Sequence, residues 1–164
     1  MTARIEVFLD WAGACVPLGH LRRVAGRGGE LISFAYAPDW LDHPARFEID
    51  PALPLTSGEF YPQGGPMFTV IGDSAPDRWG KDLMRRRERR VAQAEGRPVQ
   101  ALKEIDFLMG VADVSRLGAM RFREEGADTF AAPTREGVPG LIKLGRLLQA
   151  SERIQADRFD DDDL

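Results

Sequence analysis

Between residues 81 and 90 the chain crowds Lys81, Arg85, Arg86, Arg87, Arg89 and Arg90 into about three helical turns. The chemistry such a run offers is recognition of phosphate or of an acidic partner, because each guanidinium presents a planar fork of donors to an oxyanion. Arg85, Arg86 and Arg89 form the candidate partner or nucleic-acid surface. On a helix, Arg85 and Arg89 turn away from the side that holds Trp79 and Leu83. Arg87 and Arg90 fall by helical angle among Trp79, Leu83, Val91 and Ala94. A charge placed there must snorkel or find a carboxylate, so a structural role is expected for those two.

Other groups with chemical potential read as structure. Gly26-Arg27-Gly28-Gly29 could cradle phosphate through its backbone N–H groups. It joins two strand patterns, has no following helix and carries no Lys-Ser/Thr, so it reads as a hairpin turn. Asp106-Phe107-Leu108 is one residue from the metal-binding Asp-Phe-Gly of kinases. It lies inside a helical stripe without a preceding His-Arg-Asp, and reads as coincidence. His20 and His43 have no Cys or His at ligand spacing, so no metal site is expected. Neither sits in a nucleophile or base motif. The lone Cys15 falls in a strand pattern and is expected to be a small buried hydrophobe. Asp160 to Asp163 could attract a divalent cation only loosely, since nothing fixes their geometry. No catalytic, cofactor-binding or metal-binding residue is assigned.

These residues need elements to hold them. The first 65 or so residues read as β-rich. Ile5, Val7 and Leu9 alternate with Arg4, Glu6 and Phe8. Val16 to Val24 can pair with that strand across a turn at Gly13, and Leu31 to Tyr36 makes a third strand. Ala37 to Leu41 reads as a turn or a single helical turn, and Phe47 with Ile49 as a fourth short strand. Pro51, Pro54, Pro62 and Pro66 then stop regular structure. After Pro66 the pattern is helical. Ser74-Ala75-Pro76-Asp77 reads as a helix start, with Ser74 as cap, Pro76 in the first turn and Asp77 at the positive end of the dipole. Trp79 opens the apolar side, and the helix is expected to end near Gly96-Arg97-Pro98. Leu102, Ile105, Leu108 and Met109 predict a second helix. Gly118 to Arg123 predicts a strand with Met120 and Phe122 on one side, turning at Glu125 to Asp128 into a return strand at Thr129-Phe130. Pro139 opens a last helix carrying Leu141, Leu144, Leu148 and Ile154. That helix is expected to stop before Asp160, leaving the aspartates frayed, since they oppose its dipole.

The expected class is α+β. A small antiparallel β subdomain over 1–65, a curled sheet or partial barrel, precedes a mainly helical region over 66–164 with one short β-hairpin. With 164 residues, 43% of them hydrophobic and 29% charged, the chain can build a core without disulfides. The net charge of −4 argues against a dedicated nucleic-acid binder. The start Met-Thr-Ala-Arg-Ile-Glu has no apolar signal core, and no apolar run approaches the ~20 residues that span a bilayer. A cytoplasmic protein with no membrane partner is expected.

Three groups of segments, in order, resemble the N-terminal part of HipA-family toxin kinases. They are Phe34-Ala35-Tyr36-Ala37-Pro38-Asp39-Trp40-Leu41 with Leu53-Pro54-Leu55, then Gly72-Asp73-Ser74-Ala75-Pro76-Asp77-Arg78-Trp79-Gly80, then Asp106-Phe107-Leu108 leading into Arg116-Leu117-Gly118-Ala119-Met120-Arg121-Phe122. The resemblance covers about residues 5 to 123. It implies a small N-terminal β subdomain followed by material that packs on, or belongs to, a kinase N-lobe. Family members are Ser/Thr kinases of toxin–antitoxin modules that bind ATP and Mg²⁺ and act with a DNA-binding HipB-type antitoxin. Their glycine loop, catalytic Asp and metal-binding Asp belong C-terminal to where this chain stops, so none is carried over. Phosphoryl transfer needs those groups for positioning and charge stabilisation. The expectation is therefore a non-catalytic N-terminal region that contributes partner contacts and N-lobe structure, needs no cofactor itself, and meets a HipA-like kinase core or a HipB-type antitoxin. A separate antitoxin-like regulatory subunit and a nucleic-acid-binding module are the alternatives.

Overall fold

The computed structural model describes residues 4–26 and 29–131. Strands β1 (Arg4–Trp11), β2 (Ala14–Gly26), β3 (Gly29–Tyr36) and β4 (Met120–Glu124) form one antiparallel sheet in the order β3-β2-β1-β4. Four α-helices accompany them among the described residues, α1 (Pro38–Leu41), α2 (Thr69–Gly72), α3 (Arg78–Glu95) and α4 (Glu104–Met109), with a short 3-10 turn over Asp113–Ser115. The architecture is the expected small α+β fold with a curled sheet.

The period of two in β1 places Ile5, Val7 and Leu9 in the core. Ala12 (φ 50°) and Gly13 (φ 80°) close the β1–β2 hairpin, and both central residues are left-handed as a two-residue hairpin turn requires. The register then slips between Val7 and Phe8, which face Gly19 and Pro17 respectively, so Leu18 is an extra residue in β2. Pro17 suits that bulge because it has no N–H to give to the ladder. Gly19 is obligatory, since a Cβ there would lie 2.3 Å from the Ala35 carbonyl oxygen and 2.7 Å from the Phe34 ring.

The outer edge of β3 is covered by its own chain. Phe34 and Phe60 exchange both backbone hydrogen bonds (3.0 and 2.7 Å), and Ile32 N–H donates to the Pro66 carbonyl (2.7 Å). An exposed edge is thereby removed from aggregation. Below it, Ser33, fully buried, donates to Glu59, which also receives Arg22 and Tyr61. The fourth strand expected at Phe47 and Ile49 does not form; Phe60 takes that pairing role instead. Phe47 joins an aromatic cluster, and Ile49 N–H donates to Tyr36 Oη (3.3 Å).

The strand at 120–124 does not make a separate hairpin with Thr129-Phe130. It pairs with β1, Val7 facing Phe122, because that partner seats Met120 and Phe122 in the main core. One core cluster thus joins the sheet to Trp40, Leu53, Ile71, Ile105 and Leu108. Cys15 corrects another expectation: it is exposed, since it faces Asp10 near the hairpin end, beyond the bulge. Desolvation and the Asp10 carboxylate raise its pKa, which keeps it a thiol.

The start of α3 lies three residues later than the Ser74 reading. Asp77 is the cap, its carboxylate accepting from Gly80 N–H (2.8 Å). Pro76 precedes the cap, packed so that a Cβ on Gly80 would meet its own Cβ at 2.7 Å. Ser74 is buried and its carbonyl serves Arg116. Asp77→Ala is expected to destabilise the fold by about 1 kcal/mol, while Asp77→Asn should lose less than half of that; chemical denaturation checks both. The other end closes at Gly96 (φ 63°), as the sequence implies, with the Gly96 and Arg97 N–H groups donating back into the last turn of α3. The turn at 27–28, the helix expected after Pro139 and the Asp160–Asp163 run lie outside the described residues.

Candidate functional site

Helix α3 carries the basic run, and α4 is the surface it lies against. Phe107, 1% exposed, sits under the charges: Lys81 Nζ is 5.2 Å from its ring centroid and the Arg85 guanidinium 4.9 Å. Each cation is also paired, Lys81 with Glu104 (2.7 Å) and Arg85 with Asp82 (2.7 Å). Arg85 is therefore exposed yet held, its planar group stacked on an aromatic face and aligned by a carboxylate. Arg89 is exposed, with no ion-pair partner among the described residues, and Arg86 is half-buried. Arg85 and Arg89 share an outward face one turn apart.

The side of α3 turned to the protein differs from the helical-wheel expectation. Gly80 and Leu83 are buried near its start and Ala92 near its end; Trp79 and Val91 are half-buried and Ala94 is exposed. Ala92 lies opposite Leu83 by helical angle. It is buried because the chain turns back after Gly96 along the Glu88 side. Arg97 grips Glu88 through Nη1 and Nη2 (2.6 and 2.9 Å), and Gln100 N–H donates to the same carboxylate (2.8 Å). Arg87 is exposed and Arg90 half-buried. The Trp79 indole N–H is buried without a hydrogen-bond acceptor among the described residues.

Glu88 is a residue the sequence reading missed, and its titration is a test. The Arg97 hydrogen bonds, then the Gln100 N–H, hold its carboxyl down at about 2 from an ordinary 4.5. A depressed carboxylate pKa stabilises the fold above pH 4.5, and the contribution disappears as pH falls from there toward 2. Carbonyl NMR should show Glu88 still ionised at pH 3, and Arg97→Ala should raise its pKa toward the usual range, the Gln100 N–H remaining to hold it down in part.

Asp106 belongs to the architecture. It pairs with Arg23 and accepts from Lys103 N–H (2.9 Å), so it caps α4 and ties it to β2. Arg23 and Lys103 meet again at Glu30 (2.8 and 3.7 Å). The histidines are scattered: His20 bonds Arg4 (3.1 Å), and His43 stacks on Trp40. Burial, then the Arg4 charge, lowers the His20 pKa. Among the described residues no group of three or more His, Cys, Asp or Glu side chains is placed to hold a metal ion. No helix among them is long and apolar enough to cross a membrane.

Arg116 was also missed. It is 6% exposed and donates from Nη1 to the Ser74 carbonyl and from Nη2 to the Val111 carbonyl, both at 2.9 Å. Its guanidinium lies 4.8 Å from the Phe122 centroid. Desolvation pushes its pKa down to about 10, so it remains a cation at neutral pH. The group joins the approach to α3, the end of α4 and β4, and so fixes the base on which α3 stands.

Comparison with known proteins adds one match. A family model described as the HipA N-terminal domain matches residues 11–108, from the end of β1 through most of α4. No curated protein matches the chain.

Proposed function

We propose, from the premise that the chain belongs to the HipA N-terminal domain family, that it is the non-catalytic N-terminal region of a HipA-like Ser/Thr kinase toxin. In this reading it contributes a partner-binding surface and part of the N-lobe scaffold. ATP and Mg²⁺ belong to the kinase core it meets, and a HipB-type antitoxin is the further partner. The observation that carries the reading is the family match, which spans β2 and β3 together with α3 and most of α4. Within that span, Arg85 and Arg89 supply exposed cations on a helix whose base is fixed, an arrangement suited to an acidic protein face.

The test is binding of the full chain to a separately expressed HipA-like kinase core. Saturable binding is expected, with Arg85→Glu/Arg89→Glu weakening it about tenfold, equivalent to ~1.4 kcal/mol, and reducing its salt dependence. The chain alone should show no phosphorylation above a blank. Robust autophosphorylation with contaminating kinases excluded would overturn the reading, as would failure to bind either kinase core or antitoxin. Steeply salt-dependent DNA binding that is lost in the same double variant would instead assign α3 to phosphate recognition.

A further inference from the structure

A second surface stands apart from α3, at the end of the β1–β2 hairpin. Three aromatic rings run there from the core to the exterior. Trp40 is fully buried, Phe47 is 36% exposed and Trp11 is 44% exposed. Phe47 meets Trp40 edge-on at 5.3 Å between centroids, and Trp11 meets Phe47 at 5.4 Å, tilted by 51°. Trp11 and Phe47 are thus large apolar side chains left in water and in mutual contact. Their backbones are held. Trp11 pairs with Ala14 in the last rung before the tight Ala12-Gly13 turn. Trp40 Nε1 donates to the Phe47 carbonyl (3.4 Å), and Tyr36 Oη receives Ile49 N–H (3.3 Å) while donating to the Leu53 carbonyl (2.9 Å). Rigid aromatic side chains anchored from beneath lose little entropy when a partner covers them, which makes such groups binding hot spots.

The charges on the same segments select the partner. Asp39 and Asp42 flank Trp40 on α1 and just after it, and Glu48 follows Phe47; all three are exposed, and their carboxylates make no hydrogen bond or ion pair with the described residues. Asp10, beside Trp11, is half-exposed and shares Arg121 with Asp113. The opposing cation on the loop, Arg46, turns toward the His43 carbonyl (3.5 Å). An aromatic pair rimmed by carboxylates repels phosphate, which excludes nucleic acid and an anionic membrane, and attracts a cation that can sit over the Trp11 ring.

We propose that Trp11 and Phe47 anchor a docking surface for a cationic protein segment, one that presents arginine or lysine beside an apolar side chain. This surface does not depend on the reading of α3. The test pans a displayed random-peptide library against the immobilised full chain, then measures synthetic copies of enriched peptides by calorimetry. Enriched peptides are expected to share a basic residue next to an apolar one. Trp11→Ala should weaken them at least tenfold. Asp42→Lys/Glu48→Lys, confined to exposed positions, should weaken them as much and remove the salt dependence, with the unfolding midpoint unchanged. Enrichment of peptides without a cation, no enrichment, or binding indifferent to both variants would overturn the proposal. So would concentration-dependent self-association that Trp11→Ala abolishes, since the surface would then serve a second copy of the chain.

Discussion

Trp40→Ala is expected to destabilise the protein by about 3–5 kcal/mol, the range for removing a large buried aromatic side chain. Trp40 has no exposed surface, belongs to the core cluster, and carries His43 stacked on one side and Phe47 against its edge. Its truncation would leave a cavity that the sheet, fixed on β2 and β3, has little freedom to close. It would also remove the indole N–H from the Phe47 carbonyl. Set against a typical domain stability of roughly 5–15 kcal/mol, the loss is a large fraction of the total. Trp40→Phe keeps part of the volume and should retain at least half of the lost stability. Urea denaturation measures both, with an unchanged slope showing that the transition is the same one. A loss below about 1 kcal/mol for the alanine variant would mean that Trp40 is not packed as described.

Arg116→Ala should be of similar size, about 3–5 kcal/mol, through a different mechanism. Two buried carbonyls, of Ser74 and Val111, each lose a charged donor, and an unsatisfied buried acceptor costs roughly 1–3 kcal/mol. The stacking on Phe122 disappears as well. Arg116→Lys is expected to recover little. One ammonium on a flexible stem does not reproduce a planar fork that reaches two carbonyls from separate nitrogens. Arg116→Met restores volume but no donor and should lie between the alanine variant and wild type. Thermal and urea unfolding of the series would rank wild type first, methionine next and alanine last. A methionine variant as stable as wild type would show that the carbonyls find water instead.

Local order was legible in the sequence wherever the cause is local. Alternation in Ile5, Val7 and Leu9 and the glycine at position 13 determine the first hairpin, because side-chain period and turn conformation act within a few residues. Gly96 ends α3 for the same reason. The ordered segments around Trp40, Trp79 and Phe107 were enough to point to the family whose model matches residues 11–108. The tertiary structure decided what depends on residues distant in sequence. Strand 120–124 forms its ladder with β1 rather than with residues 129–130, a pairing that seats Met120 and Phe122 in the core shared with Ile5, Val7 and Leu9. Packing against Pro76 and Gly80 sets where α3 begins, so Asp77 caps it and Ser74 turns its carbonyl to an arginine from another segment. Helical angle alone left Arg85 pointing outward, whereas the contact with α4 lays it on Phe107. Trp11 carried no signal in the sequence and Phe47 read as part of a short strand, and only the tertiary structure brings their rings together at the surface. Side-chain period and turn chemistry say which residues turn inward; which inward faces meet, and what they leave outside, depends on chain closure over tens of residues, whose entropy is repaid only when the whole core assembles.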